Sequence, residues 1–333
     1  MLKVVEDESA VRRHQRQFIR VLRPLAEETI PVKLGHPGAS VRARVSWSGR
    51  LGIWFLSRKI GALRYWHAFG IGRPEGGANI PITCEINFPL CGIDRRTGGA
   101  FAEDPAGQVF VVHRGKLGGG RKGIGKSLFE NHYRGVWRVM DDGGTATPVA
   151  LVGALHSPRF ARQVAQFVRK IEWIKREAAA RSSQVEIGFG EPGFREETIG
   201  APCGEPERDM GAECDRGLVI RDLADTLRGR DLRAGNDKLR DLIAADRNGR
   251  ILALFEVGTE MTLSGLHAGA ARLLLNAPDL PGSPRLVLAV PREPEKELRE
   301  QLARLKIDLL TYGWEGDRAV FPGLQRLLFS AAL

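Results

Sequence analysis

The sequence predicts a mixed α+β and α/β protein of two domains: a basic, β-rich N-terminal domain and a C-terminal α/β/α domain with a mixed central sheet. The chain of 333 residues exceeds the usual size of one domain. Short β-branched and aromatic runs fill residues 40–155, whereas helix-like and strand-like segments alternate near the C-terminus. A segment rich in Gly, Pro and Glu, residues 183–213, lies between them and reads as a linker. The predicted domains are therefore 1–182 and 214–333.

The positive charge belongs to the N-terminal domain. Residues 1–182 carry a net charge of +15 and residues 183–333 a net charge of −5, for a total of +10. A codon bias toward arginine would act on both halves, so the asymmetry favours polyanion binding by the N-terminal domain. No apolar run is long enough to cross a bilayer, and the four cysteines form no C-x-x-C pair. A cytoplasmic protein without a membrane partner is expected.

In the N-terminal domain, the spacing of apolar residues predicts a helix over 9–29 and another that starts at Ser157-Pro158 and ends near residue 180. The runs between them, such as VRARVSW, LGIWFL and GQVFVVHRG, predict a mostly antiparallel β structure.

Two clusters in this β region are candidates for nucleic-acid binding. Arg64, Trp66 and His67 mix basic and aromatic side chains, which suits base stacking; the alternative is that the aromatic rings belong to the core. Glycines let a backbone approach an anion closely, and the second cluster is a glycine-rich segment with five cations; the alternative is a solvated loop. These cations are Arg114, Lys116, Arg121, Lys122 and Lys126.

The segment Gly120–Ser127 also matches the P-loop pattern G-x-x-x-x-G-K-[ST]. A P-loop follows a buried parallel strand directly and opens a helix, whereas the strand predicted at 109–112 ends well before Gly120. Nucleotide hydrolysis is therefore the weakest of the functional hypotheses.

The C-terminal domain is predicted to contain nine elements in the order helix, two strands, helix, strand, helix, two strands, helix. Their ranges are 216–228, 240–246, 250–258, 264–276, 285–290, 293–305, 307–312, 318–321 and 322–331. Asn248-Gly249 predicts a tight turn between the first two strands. Asp241 and Glu256 then fall at the same end of the hairpin, where two carboxylates can share a divalent cation. The alternative is that Asp241 caps a strand and Glu256 is solvated.

This order of elements, with Asp241 on the second and Glu256 on the third, resembles the PD-(D/E)xK restriction-endonuclease-like superfamily. Arg240-Asp241-Leu242 and Phe255-Glu256-Val257 stand where that family has its two metal-binding carboxylates. The resemblance covers about the last 120 residues. It implies that Asp241 and Glu256 are catalytic and hold Mg²⁺ (or Mn²⁺). Asp222 or Asp225 on the first helix are further candidate ligands.

Gly258 is the main departure from the family pattern, because a lysine usually stands two residues after the Glu. Lys238 and Arg272 are the candidates to replace its charge. The leading hypothesis is a metal-dependent endonuclease of restriction or phage-defence type that acts on nucleic acid, with DNA the expected form, either as a monomer or as a homodimer. The alternative is a protein that keeps the nuclease fold and binds DNA or RNA without cleaving it.

Overall fold

The computed structural model describes residues 1–36, 39–117, 125–182 and 209–329. The chain divides into two compact units. The described part of the first, the N-terminal unit, ends at residue 182, and that of the second, the C-terminal unit, begins at residue 209. None of the helices in the described ranges combines the length and the apolar composition that crossing a bilayer requires.

The N-terminal unit contains three α-helices, a short 3-10 helix (Arg23–Leu25) and twelve strands within the described residues. In chain order they are β1 (Leu2–Val4), α1 (Glu8–Leu22), β2 (Glu28–His36), β3 (Ala39–Ser48), β4 (Ile53–Ile60), β5 (Arg64–Ile71), β6 (Asn79–Pro81), β7 (Cys84–Glu85), β8 (Phe88–Pro89), β9 (Gly99–Glu103), β10 (Val109–His113), α2 (Lys126–His132), β11 (Trp137–Asp141), β12 (Ala146–Ala154) and α3 (Phe160–Ser182).

Two sheets form this unit. Five strands close a barrel in the order β1-β11-β12-β10-β9, and seven strands form a second sheet, ordered β6-β2-β3-β4-β5-β7 with β8 paired to β5. Most pairs are antiparallel; β1 with β11 and β2 with β6 are parallel. One core joins Phe18 of α1, Phe69 of β5, Val111 of β10 and Phe167 of α3. The helices therefore bury their apolar faces between barrel and sheet.

The C-terminal unit contains four helices and seven strands within the described residues. They are α4 (Met210–Arg228), β13 (Arg233–Gly235), β14 (Leu242–Ala245), β15 (Ile251–Val257), α5 (Leu263–Asn276), β16 (Arg285–Val290), α6 (Lys296–Arg304), β17 (Ile307–Thr311), β18 (Gly313–Glu315), β19 (Arg318–Val320) and α7 (Leu324–Phe329).

A mixed five-stranded sheet, ordered β13-β14-β15-β16-β17, is the centre of this unit. The pairs from β13 to β15 are antiparallel and those from β15 to β17 are parallel. Side chains on one face, including Phe255, pack with Leu223 of α4 and Leu324 of α7. Side chains on the other face, including Leu288, pack with Leu273 of α5 and Leu302 of α6. The mixed central sheet covered by helices on both faces is thus as predicted.

Local physics explains where the elements depart from the sequence-based ranges. The helix predicted over 9–29 ends at Leu22, because Pro24 lacks the N–H that the next turn needs. Helix α4 begins six residues before the predicted 216, since Asp209 caps it by accepting hydrogen bonds from the backbone N–H groups of Gly211 and Ala212. The last residues of the predicted linker therefore belong to α4. The Asn248-Gly249 turn is confirmed, and Gly249 adopts φ +85°.

The interior of the N-terminal unit holds His113 in its neutral form. The backbone N–H of Gly115 donates to His113 Nδ1 at 3.1 Å, and His113 Nε2 lies 3.2 Å from the carbonyl oxygen of Glu85. One nitrogen must accept and the other donate, which an imidazolium cannot do. Burial lowers the pKa of His113 from 6.5 to about 4 despite the Glu85 contact, and burial lowers the pKa of His67 to about 3.

We expect acid to destabilise this unit. Both folded-state pKa values lie below the unfolded value of 6.5, so the unfolded chain takes up protons first as the pH falls from 6.5 toward 4. Each histidine then removes about 1.4 kcal/mol of stability per pH unit. Urea unfolding followed by tryptophan fluorescence measures it, because five of the six tryptophans belong to this unit: Trp47, Trp54, Trp66, Trp137 and Trp173.

The variant His113→Gln, which stays neutral, should show a flatter pH dependence than the wild type, although it is less stable at neutral pH. His267→Gln, at an exposed position on α5, is the matched control and should leave the pH dependence unchanged. An equally steep pH dependence in His113→Gln and wild type would contradict the expectation.

Candidate functional site

Asp241 and Glu256 meet at one end of the β14–β15 hairpin. The ladder includes the pair Leu242–Phe255, and one further step places Asp241 opposite Glu256. Both are buried, with 1% and 2% of their surface exposed. Asp241 Oδ2 also accepts a hydrogen bond from the backbone N–H of Val257 at 2.9 Å. The two carboxylates singled out in the sequence are therefore neighbours in the interior.

Arg216 of α4 bridges the two carboxylates. Its Nη2 donates to Asp241 Oδ2 at 2.7 Å and also to Glu256 Oε1. Only 18% of the Arg216 side chain is exposed, so this bridge is largely shielded from water. A charge-assisted bond of this kind is stronger than one between neutral groups.

A second guanidinium reaches Glu256 from the opposite face of the sheet. Arg272 of α5 donates from Nε to Glu256 Oε1 at 2.5 Å, and 33% of its side chain is exposed. Gly269 lies one turn earlier on α5, where a Cβ would come within 2.8 Å of Leu288 Cδ1. The absence of a side chain at Gly269 lets α5 approach the sheet closely enough for Arg272 to reach Glu256.

The four side chains carry two negative and two positive charges. The pKa of Glu256 is raised to about 7, chiefly by burial and also by the nearby charge of Asp241, while Arg216 and Arg272 oppose the rise. Burial alone would lower the pKa of Arg216, but the charges of Asp241 and Glu256 outweigh burial and raise it. The guanidinium groups thus limit how far the pKa of the buried Glu256 rises.

The chemistry of this donor set fits a hard divalent cation. Asp241 Oδ1 is buried and has no hydrogen-bond partner among the described residues, so one carboxylate oxygen is available as a ligand. The described part of the chain has no group of three or more His, Cys, Asp or Glu residues that could hold a metal. Mg²⁺ is often held by one or two carboxylates together with water and substrate phosphate. Arg216 occupies the bridging position between the carboxylates, so a shared metal would have to replace its contacts.

Gly258 follows the carboxylate pair at the end of β15. Its N–H donates to the carbonyl of Ala289 at 2.8 Å, and its carbonyl accepts from the Tyr312 hydroxyl at 3.2 Å. A Cβ at this position would meet its nearest neighbour, Val290 Cγ1, at an ordinary 3.7 Å. A Cβ could therefore be accommodated here.

Three sequence-based assignments near this site need correction. Lys238 is exposed and makes no ion pair with Asp241 or Glu256, all three being described residues, so the structure does not bring it into contact with the pair. Asp222 is buried, but its Oδ2 accepts from the backbone N–H of Ala319 at 2.8 Å and so holds β19. Asp225 forms an exposed ion pair with Arg228 at 3.1 Å.

Arg272 was among the candidates, whereas Arg216 was missed. The signal lay in its spacing: Arg216 precedes Val219, Ile220 and Leu223 by three, four and seven residues, which puts it on the buried stripe of α4. A charged residue on an apolar stripe needs a buried partner of opposite charge. The helix predicted from the sequence began at residue 216, so Arg216 was its first residue and was not assigned to the buried face.

The glycine-rich segment does not present Arg114 to solvent. Arg114 is 3% exposed and pairs with the fully buried Asp142 through two bonds, Nε to Oδ2 at 2.9 Å and Nη2 to Oδ1 at 2.7 Å. It also donates to the carbonyls of Thr97 and Gly99. Its bonds are thus satisfied inside the N-terminal unit, and the prediction that Arg114 contacts nucleic acid is wrong.

The aromatic cluster is also interior. Trp66 is 6% exposed and packs in a core between strands, and His67 is fully buried with Nδ1 2.8 Å from the Ser57 hydroxyl. Neither ring can stack on a base, so the alternative reading as core residues is the correct one. Arg64 is half-buried at the start of β5 and remains a candidate.

The other residues predicted to contact nucleic acid differ in their exposure. Lys116 is exposed and donates to the carbonyl of Arg95, and Lys126 is half-exposed with Glu130 at 3.3 Å. Arg121 and Lys122 lie outside the described residues. The P-loop context is not met, because β10 pairs antiparallel with β9 and β12 and α2 has only seven residues.

No known protein family, curated protein or solved structure matches the chain. Its function is therefore inferred from the side chains and contacts described above.

Removing Arg216 should destabilise the C-terminal unit. The variant Arg216→Met leaves Asp241 and Glu256 facing each other with one guanidinium fewer, which should cost about 3–5 kcal/mol of unfolding free energy, as measured by urea unfolding and circular dichroism. Adding Asp241→Asn to Arg216→Met should recover part of this loss, because the remaining charges then balance. A fully stable Arg216→Met variant would contradict the buried bridge.

Proposed function

We propose that the C-terminal unit is the catalytic part of a metal-dependent nuclease that hydrolyses phosphodiester bonds in nucleic acid, with DNA the expected substrate. The observation that carries the proposal is the meeting of Asp241 and Glu256, two buried carboxylates on adjacent strands, beside two guanidinium groups. Acidic groups that hold a cation, next to permanent positive charges, suit a reaction in which negative charge develops on phosphate.

Asp241 and Glu256 are the residues that would hold Mg²⁺ or Mn²⁺. Asp241 Oδ1, which has no hydrogen-bond partner among the described residues, and the shared end of the hairpin support this assignment. A bound divalent cation supplies a Lewis acid for a phosphate oxygen and lowers the pKa of a bound water. The Val257 N–H holds Asp241 by one oxygen and so limits its rotation.

Arg272 and Arg216 supply the positive charge that a lysine would carry at the position of Gly258. A guanidinium stays protonated at any working pH, so neither arginine can take a proton from water. Both can donate hydrogen bonds to phosphate oxygens, and Arg272 is the more accessible of the two. Their role is therefore to stabilise charge on the phosphate rather than to activate the nucleophile.

A non-cleaving nucleic-acid binder is the second candidate. It is favoured by the Arg216 bridge, since the chain itself already supplies the positive charge that the carboxylate pair requires. In this case Asp241, Glu256 and Arg216 form a structural cluster, and a nuclease fold serves binding alone.

Cleavage of DNA in the presence of Mg²⁺ or Mn²⁺ should depend on both carboxylates. Asp241→Asn and Glu256→Gln should each lower the rate about a hundredfold or more, because each removes a ligand charge from the site. The matched control is Asp225→Asn, an exposed carboxylate on α4, which should cleave at the wild-type rate. Wild-type rates in both site variants would rule out the nuclease at this position.

Introducing a lysine at position 258 distinguishes the nuclease from the non-cleaving binder. Gly258→Lys should raise the cleavage rate about tenfold or more, because a positioned amine adds general acid–base assistance that arginine cannot give. Gly258→Ala, which adds only the Cβ, is the control and should change the rate little. If neither wild type nor Gly258→Lys cleaves while both bind nucleic acid, the non-cleaving candidate stands.

A further inference from the structure

The N-terminal unit contains a basic groove away from the glycine-rich segment. Its volume is about 380 Å³, and it is lined by residues of β2, β3 and β4 together with Gly77. Four of the lining residues are cations: Lys33, Arg42, Arg44 and Arg58. No acidic residue of the described ranges is among the lining residues. We call these residues the basic groove.

The groove opens where two strands separate. The ladder between β3 and β4 pairs residues 46–48 with 53–55, whereas β3 begins at residue 39 and β4 continues to residue 60. Arg42 and Arg44 lie on the part of β3 beyond this ladder, and Arg58 lies on the corresponding part of β4. The cations thus belong to both sides of the opening.

The cations of the groove are exposed and are not neutralised. Lys33, Arg42, Arg44 and Arg58 are all exposed, and none has an ion-pair partner within the described ranges. Lys33 stands directly opposite Arg42 in the β2–β3 ladder, an arrangement of like charges that destabilises a sheet. Such a cluster costs stability unless an anion binds to it.

We propose that the basic groove binds one phosphate-backbone strand of a nucleic acid. Arginine forks match the oxygens of phosphate groups, which a nucleic-acid backbone presents in a row. The remaining lining residues, Pro31, Val32, Ala43 and Gly77, offer no polar side chain for reading a base edge, so the contact is independent of sequence. The choice of nucleic acid over an acidic protein segment rests on the proposed nuclease function.

Salt-dependent binding tests this assignment. Fluorescence anisotropy of the full chain with labelled duplex DNA, one of its single strands and the matching RNA, in EDTA, should show that Arg42→Ala/Arg44→Ala weakens binding about tenfold or more. The same variant should reduce the slope of log affinity against log salt by about 2, one for each lost phosphate contact.

The control is Lys3→Ala/Arg96→Ala, which removes the same charge at exposed positions outside the groove. This control should bind about as tightly as the wild type. An equal loss of affinity in both double variants would show that the overall positive charge, and not the groove, attracts the nucleic acid. Unchanged affinity in Arg42→Ala/Arg44→Ala would overturn the proposal directly. Competition by polyglutamate as effective as by unlabelled DNA would replace nucleic acid by an acidic protein partner.

The test of the basic groove can fail independently of the nuclease proposal. Asp241→Asn should bind as the wild type does in EDTA, because the groove cations are untouched. Loss of cleavage in Asp241→Asn with retained groove-dependent binding supports both proposals. If Arg42→Ala/Arg44→Ala still cleaves and binds nucleic acid as the wild type does, the groove proposal is refuted and the nuclease proposal stands.

Discussion

The burial of two carboxylates on adjacent strands is the constraint on which the C-terminal unit depends. Asp241 and Glu256 cannot both remain charged in the interior without compensation, and Arg216 and Arg272 provide it from opposite faces of the sheet. The position of α4 and the close approach of α5 at Gly269 both serve these contacts. The same charge balance makes the cluster a candidate site, because a cation that enters must compete with a guanidinium.

That competition links the two candidate functions physically. Arg216 contacts both carboxylates, while Arg272 contacts only Glu256 and is more exposed. Release of Arg216 would free the ligands and also place a guanidinium near any bound phosphate. If Arg216 stays in place, the same four residues are a stable neutral core element. The free-energy difference between these two arrangements, more than the identity of the residues, separates a nuclease from a binder.

The N-terminal unit shows how the same residue types take different roles according to depth. Arg114 satisfies a buried aspartate, and burial keeps His113 neutral while its two ring nitrogens are hydrogen-bonded. Arg42 and Arg58 sit where β3 and β4 separate, exposed and without ion-pair partners in the described ranges. The net charge of this half therefore divides into structural and exposed cations.

Sequence periodicity and turn chemistry predicted much of the C-terminal unit. The β14–β15 hairpin and its Asn-Gly turn follow from local rules, since strand patterning and turn chemistry are read along the chain. The pairing of Asp241 with Glu256 also needs the register shift between Ala244 and Ala245, because the register at the turn would place Asp241 opposite Phe255. Helix α4 was predicted too short, because the Asp209 cap lies inside a segment whose Gly and Glu content resembles a linker. The two short strands β13 and β18, of three residues each, were not predicted from the sequence.

By itself the sequence determined the charge asymmetry, the hairpin and the identity of the two central carboxylates, because these depend on composition and on neighbours along the chain. Only the tertiary structure decided which cations serve them. Arg216 is 25 residues from Asp241 and 40 from Glu256 along the chain, and Arg272 approaches from another helix. It also decided that Arg114, Trp66 and His67 are interior, and that Lys33, Arg42, Arg44 and Arg58 share one groove. Long-range pairing arises from packing between elements, and no local pattern encodes which side chains meet.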